Sequence, residues 1–131
     1  MHEKRIEIRW RDMDAFQHVN NAVFLTYLEE CRDELMAETL AGVGDVNDFV
    51  LAHAAIDYRR QLTQDDDAVV VRCGFERIGR SSVRTREEIR TAAGELAAAA
   101  EAVMVPLAAD GSGARPLTDR ERETFEARLE P

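Results

Sequence analysis

Residues Glu95–Leu107 read ELAAAAEAVMVPL, and two opposite structures compete for them. Alanine is the strongest helix former, so propensity alone favours a helix. The flanks argue otherwise. The preceding AAG has the look of a hairpin turn, and VMVPL ends in a strand-like run. We read the segment as a strand because the chain ahead of it already reads as a series of strands.

That series is marked by alternation and by turns. Ser82–Thr91 alternates Arg84, Arg86, Glu88 and Arg90 against Val83, Thr85 and Ile89, which predicts a strand with one face in water. Gly79-Arg80-Ser81 is the turn before it, and Ala68–Ile78 the strand before that. QDDD (Gln64–Asp67) is a turn, preceded by a strand over Phe49–Arg60. At the start, Glu3–Arg11 alternates Ile6, Ile8 and Trp10 against Arg5, Glu7, Arg9 and Arg11. Between the first two strands lies the one long helical pattern, Asn21–Ala41, with Phe24, Leu28, Cys31 and Leu35 on one stripe. Asn20 suits its N-cap, and Gly42 and Gly44 its end. Thr118-Asp119-Arg120-Glu121 has the form of a capping box and predicts a short closing helix. One long helix across five antiparallel strands is an α+β arrangement. The helix cannot cover both faces of the sheet, and the runs Val50–Tyr58 and Val69–Phe75 predict a sheet with two apolar sides.

The chain has 131 residues, 45% apolar and 33% charged, which fits one domain, 1–131. No run of about 18 apolar residues predicts a membrane span, and MHEKRIEIRW lacks the apolar segment of a signal peptide. Cys31 and Cys73 stand far apart, as buried small residues in a reducing compartment would. A cytoplasmic protein without a membrane partner is expected. The net charge of −9 argues against duplex nucleic acid as a partner, though local arginines can still hold a small anion.

The chemistry gathers in WRDMDAFQHVNNAVF (Trp10–Phe24). Asp12 and Asp14 precede the helix start, with His18, Asn20 and Asn21 following. A carboxylate beside a helix N-terminus could be a turn with a cap, a metal loop, or a catalytic site. Asp12, Asp14 and His18 want a further donor to hold a metal, and none is obvious. His18 reads as a hydrogen-bonded structural residue slightly ahead of a base. His53, Tyr58 and Glu29 read as packing or capping groups.

The string D-x-D-x-x-x-H-V-N-N, after a strand and opening a long helix, resembles the hotdog-fold thioesterases. It is most similar to the 4-hydroxybenzoyl-CoA thioesterase branch and the plant acyl-carrier-protein thioesterases. The resemblance extends from about Arg5 to Leu107 and continues in YRRQLTQDDDAVVVRCGFERIGRSSVRTREEI. Gln17 and Phe16 depart from it, standing where relatives carry glycine and, in the plant enzymes, asparagine.

The resemblance implies a long helix wrapped by a five-stranded antiparallel sheet and hydrolysis of an acyl-CoA or acyl-carrier-protein thioester. It makes Asp14 the catalytic carboxylate, nucleophile or general base, and the Asn21 N–H the group that polarises the carbonyl. His18 is a further catalytic candidate and Asn20 lies beside the substrate. It also implies that Arg80, with Arg77, Ser81 and Ser82 around it, contacts the CoA phosphates. No metal or cofactor is implied, CoA being part of the substrate. A homodimer or homotetramer is implied, with the site at the interface. Two alternatives stand beside it: a thioester-binding or sensing protein without turnover, in which Asp14 only shapes the pocket, and a dehydratase on the same fold, which uses a different Asp/His pairing.

Overall fold

The computed structural model describes all residues, Met1–Pro131. Five strands, β1 (His2–Glu7), β2 (Phe49–Tyr58), β3 (Ala68–Ile78), β4 (Val83–Thr91) and β5 (Leu96–Pro106), accompany helices α1 (Asn21–Leu40) and α2 (Asp119–Glu126). The strands form one sheet in the order β1-β3-β4-β5-β2, with every neighbouring pair antiparallel. No helix is long and apolar enough to cross a membrane.

The alanine-rich stretch is a strand, as expected. β5 lies between β4 and β2, so its backbone is paired on both sides along most of its length. Two ladders of hydrogen bonds outweigh a helix preference of a few tenths of a kcal/mol per residue. Ala97, Ala98 and Ala102 are fully buried, so the run serves close packing.

The inner face carries the core. Val83, Thr85, Glu87, Ile89 and Thr91 of β4 alternate inward, beside Val69, Val71, Cys73 and Phe75 of β3. Helix α1 lays Phe24, Leu28, Cys31 and Leu35 on them, together with Tyr27, Met36 and Leu40. Cys31 and Cys73 are free, buried, and 3.1 Å apart at sulfur. A capping box at Thr118 and Glu121 starts α2, whose Phe125 meets Phe49 and Phe75 edge-on.

Two expectations are corrected. The first strand ends at Glu7, not Arg11, and Trp10 turns outward to 79% exposure while Ile6 and Ile8 stay buried. The cause lies two residues on. The Asp12 carboxylate accepts the Arg9 N–H at 2.9 Å and the Tyr27 hydroxyl at 2.6 Å, which curls Trp10–Asp12 into a single 3-10 turn.

Second, the apolar run Val69–Phe75 does not give the sheet two apolar sides. The outer face is crossed by ion pairs, Glu3–Arg72–Glu88–Arg90 and Glu101–Arg84, with the His53 ring 3.5 Å from Glu101. Uncovered apolar surface lies elsewhere, on Val50, Leu51 and Tyr58 of the edge strand β2 and on Leu25 of α1.

Candidate active site

Asp12 begins the site by fixing the chain ahead of it. It is only 4% exposed. Burial pushes its carboxyl up, but the hydrogen bonds from Tyr27 and Arg9 prevail and hold it below the ordinary value. The Tyr27 hydroxyl is raised in turn, by burial and by its bond to Asp12. The Asp12 carbonyl accepts the Asn20 N–H at 2.9 Å, so the strand exit and the helix entry are held side by side.

Between them Asp14–His18 forms a tight loop. The Asp14 N–H donates to the His18 carbonyl at 2.9 Å, the Gln17 N–H donates to the Asp14 carbonyl at 3.0 Å, and Met13 bridges Val19. Closing the loop puts Gln17 at φ +64°, a left-handed conformation. That costs a side-chain-bearing residue about 1 kcal/mol. Gln17→Gly should therefore raise the melting temperature by about 2 °C, part of the gain being lost to glycine's extra unfolded-state entropy. A lower melting temperature in calorimetry would show that the Gln17 side chain holds the loop.

Asp14 Oδ1 accepts the Phe16 N–H at 2.9 Å and, more loosely, the His18 N–H at 3.5 Å. Oδ2 has no partner in the chain. The carboxylate is thus oriented by one oxygen and free at the other.

The helix start is equally selective. Asn20 Oδ1 accepts the Ala22 N–H at 2.8 Å, and its carbonyl accepts from Val23 and Phe24. The Asn21 N–H alone is left without an acceptor in the first turn. A free N–H at the positive end of a 20-residue helix is a donor aimed at an anion. The Tyr58 hydroxyl secures the same residue from behind, donating to the Asn21 carbonyl at 2.8 Å, with its ring edge-on to Phe24.

Asp14, His18 and Asn21 line one recess of about 380 Å³. Asp14 and His18 also line an open cleft of about 850 Å³ that continues past Trp10 and Arg11 to Thr63–Asp65. The His18 ring has no hydrogen-bond partner in the chain; its backbone closes the loop. The Asn20 side chain is engaged as the helix cap. No three His, Cys, Asp or Glu side chains converge in a way that could hold a metal ion.

Arg77, Arg80, Ser81 and Ser82 lie at the far end of the sheet. The cleft sits at the start of the 11-residue β3 and these residues at its end or just beyond, about 30 Å along the strand. Arg122 Nη2 holds their turn by donating to the Gly79 carbonyl at 2.9 Å. One chain does not bring them to Asp14. Sequence reading missed Trp10 and Arg11 as cleft walls, because alternation placed Trp10 in the core. It also missed the grip of Tyr58 on Asn21, a contact 37 residues apart with no local signal.

A long helix across five antiparallel strands, with a carboxylate loop at the helix N-terminus, is the hotdog architecture of thioesterases. The chain matches the thioesterase-like superfamily over residues 8–125 and belongs to it. Among solved structures it is similar to a thioesterase from Thermus thermophilus, complexed with coenzyme A and Zn. The two are 35% identical with a TM-score of 0.84, over 95% of this chain and 91% of that one. A protein described as a predicted thioesterase from Bacillus stearothermophilus matches at 25% identity and a TM-score of 0.87, over 98% and 96%. At fold level it also matches a 1,4-dihydroxy-2-naphthoyl-CoA thioesterase from Synechocystis, at 20% identity and a TM-score of 0.79, over 95% and 94%. No curated protein matches the sequence.

Proposed function

We propose that the chain hydrolyses an acyl-CoA thioester to a free acid and CoA, with Asp14 and Asn21 at the reacting carbonyl. One observation carries this reading: Asp14, with one carboxylate oxygen free, and Asn21, with a free N–H, line the same small recess. A thioester carbonyl seated there takes a hydrogen bond from Asn21, which strengthens as negative charge gathers on the oxygen. Asp14 Oδ2 either attacks the carbonyl carbon or takes a proton from an attacking water. The C–S bond then breaks, the thiolate leaves and is protonated, and water supplies the hydroxyl of the acid. These steps use only the chain's own groups and ask for no metal.

His18 lines the same recess and is a second group able to pass a proton to the leaving sulfur. Arg80 and its neighbours enter substrate binding only from a second copy, since their own chain holds them at the other end of β3. The thioester hydrolysis itself is tested by thiol release from a panel of acyl-CoA esters; no release from any member would defeat the reading.

The same reading includes self-association. β2 is an edge strand paired only to β5, and it exposes Val50, Leu51 and Tyr58. An open edge with apolar side chains is a template for pairing. Sedimentation at micromolar concentration should show a dimer or larger species. A Val50→Lys/Leu51→Lys double variant should shift it towards monomer, and a wild-type chain that sediments as monomer would remove this part of the proposal.

A further inference from the structure

The open cleft beside Asp14 has two features that thioester hydrolysis does not require. Trp10 and Phe16, both in its wall, are each 79% exposed. Arg11, also in its wall, has no carboxylate within ion-pair distance, whereas Arg5 and Arg9 on the same segment are paired with Glu7 and Asp12. Arg11 thus offers a guanidinium without an acidic partner in the same cleft wall as the exposed Trp10 indole. A guanidinium is the strongest side-chain partner for a phosphate, because its planar fork matches the oxygens. An aromatic face stacks on a nucleobase of any identity. Together they suit a ligand with a base at one end and phosphates next to it.

We propose that Trp10 and Arg11 receive the nucleotide end of coenzyme A, adenine on the indole and phosphate on the guanidinium, and so select CoA as the carrier. The proposal rests on the thioesterase reading given above. Arg11 stands three residues before Asp14, within about 10 Å of backbone and a side chain's further reach. The pantetheine arm would lie along the cleft between them, with its thioester end at Asp14 and Asn21. The segment is held rigid by the buried Asp12, which is what turns Trp10 outward. Binding through the nucleotide is binding remote from the chemistry, so it acts on ground and transition states alike.

Trp10 is the only tryptophan, so its fluorescence reports on the platform directly. Titrating the full chain with free CoA should quench that fluorescence to saturation, and Arg11→Gln should move the midpoint up about tenfold. In steady state, Arg11→Gln and Trp10→Leu should each raise KM for an acyl-CoA about tenfold with kcat nearly unchanged, and leave KM for the matching acyl-pantetheine where it was. Fluorescence that stays flat at CoA concentrations that inhibit thiol release would overturn the proposal. So would an equal rise in KM for the acyl-pantetheine, or a CoA dependence lost in Arg80→Ala and kept in Arg11→Gln. If no thioester is hydrolysed at all, the proposed activity falls while the CoA titration still decides this inference.

Discussion

Asp14→Asn should lower kcat for thiol release by about 10²-fold or more, the scale of losing a positioned base or nucleophile. The change is nearly isosteric. Asn can still accept the Phe16 N–H through its amide oxygen, so the loop over Asp14–His18 keeps its shape. The oxygen that is lost as a nucleophile is the one with no partner in the chain. Removing it also removes a negative charge from a recess that, in the proposed reaction, receives a polyanionic substrate. Binding of a non-hydrolysable acyl-CoA should therefore survive or tighten, and the loss should fall on kcat.

Asp12→Asn supplies the contrast. Asp12 is buried and already engaged by Tyr27 and Arg9, so its replacement should lower the melting temperature more than it lowers kcat. If Asp12→Asn were the more damaging to turnover at equal folded fraction, the roles of the two aspartates would be exchanged. Full thiol release by Asp14→Asn would reduce the loop to a capped turn.

The centre of this site is readable from sequence because its parts are local. Asp14, His18, Asn20 and Asn21 fall within eight residues, and capping chemistry is a property of adjacent backbone groups. The outward charges of β4 are likewise visible as a period of two. What alternation cannot supply is the choice of face when a run is continuously apolar, as at Val69-Val70-Val71, or the point at which a strand ends. Ile6, Ile8 and Trp10 obey one period, yet Trp10 is exposed, because a hydrogen bond from Tyr27, 15 residues beyond Asp12, bends the chain first. The free N–H of Asn21 could be expected from the helix start. Its anchoring by Tyr58 could not, since that contact depends on the order of strands in the sheet.

The same limit applies to the contact with the largest expected effect on folding. Arg32 Nη1 of α1 donates to both oxygens of Glu87 on β4, at 2.9 and 3.1 Å, and the Thr85 hydroxyl donates to Glu87 at 2.7 Å. Arg32 is 4% exposed and Glu87 2%. In sequence Arg32 is one charge among five between Glu29 and Glu34, with nothing to show that it points inward while its neighbours do not. Arg32→Met removes one partner and leaves a carboxylate in the core, at a cost of about 3–5 kcal/mol. Domains of this size hold only about 5–15 kcal/mol in all, so the variant should be largely lost to unfolding or melt far lower. Replacing both groups is a different change. Arg32→Met/Glu87→Leu leaves no orphan charge, keeps apolar volume between helix and sheet, and should recover most or all of the loss, as apolar replacements of buried pairs often do. Denaturant melts of the two variants decide the point. If the double variant is as unstable as Arg32→Met, the pair itself is what docks α1 on β4, and with it the Asn21 N–H at the helix start. If the double variant is stable and still releases thiol, packing alone sets that position and the ion pair is dispensable to the site.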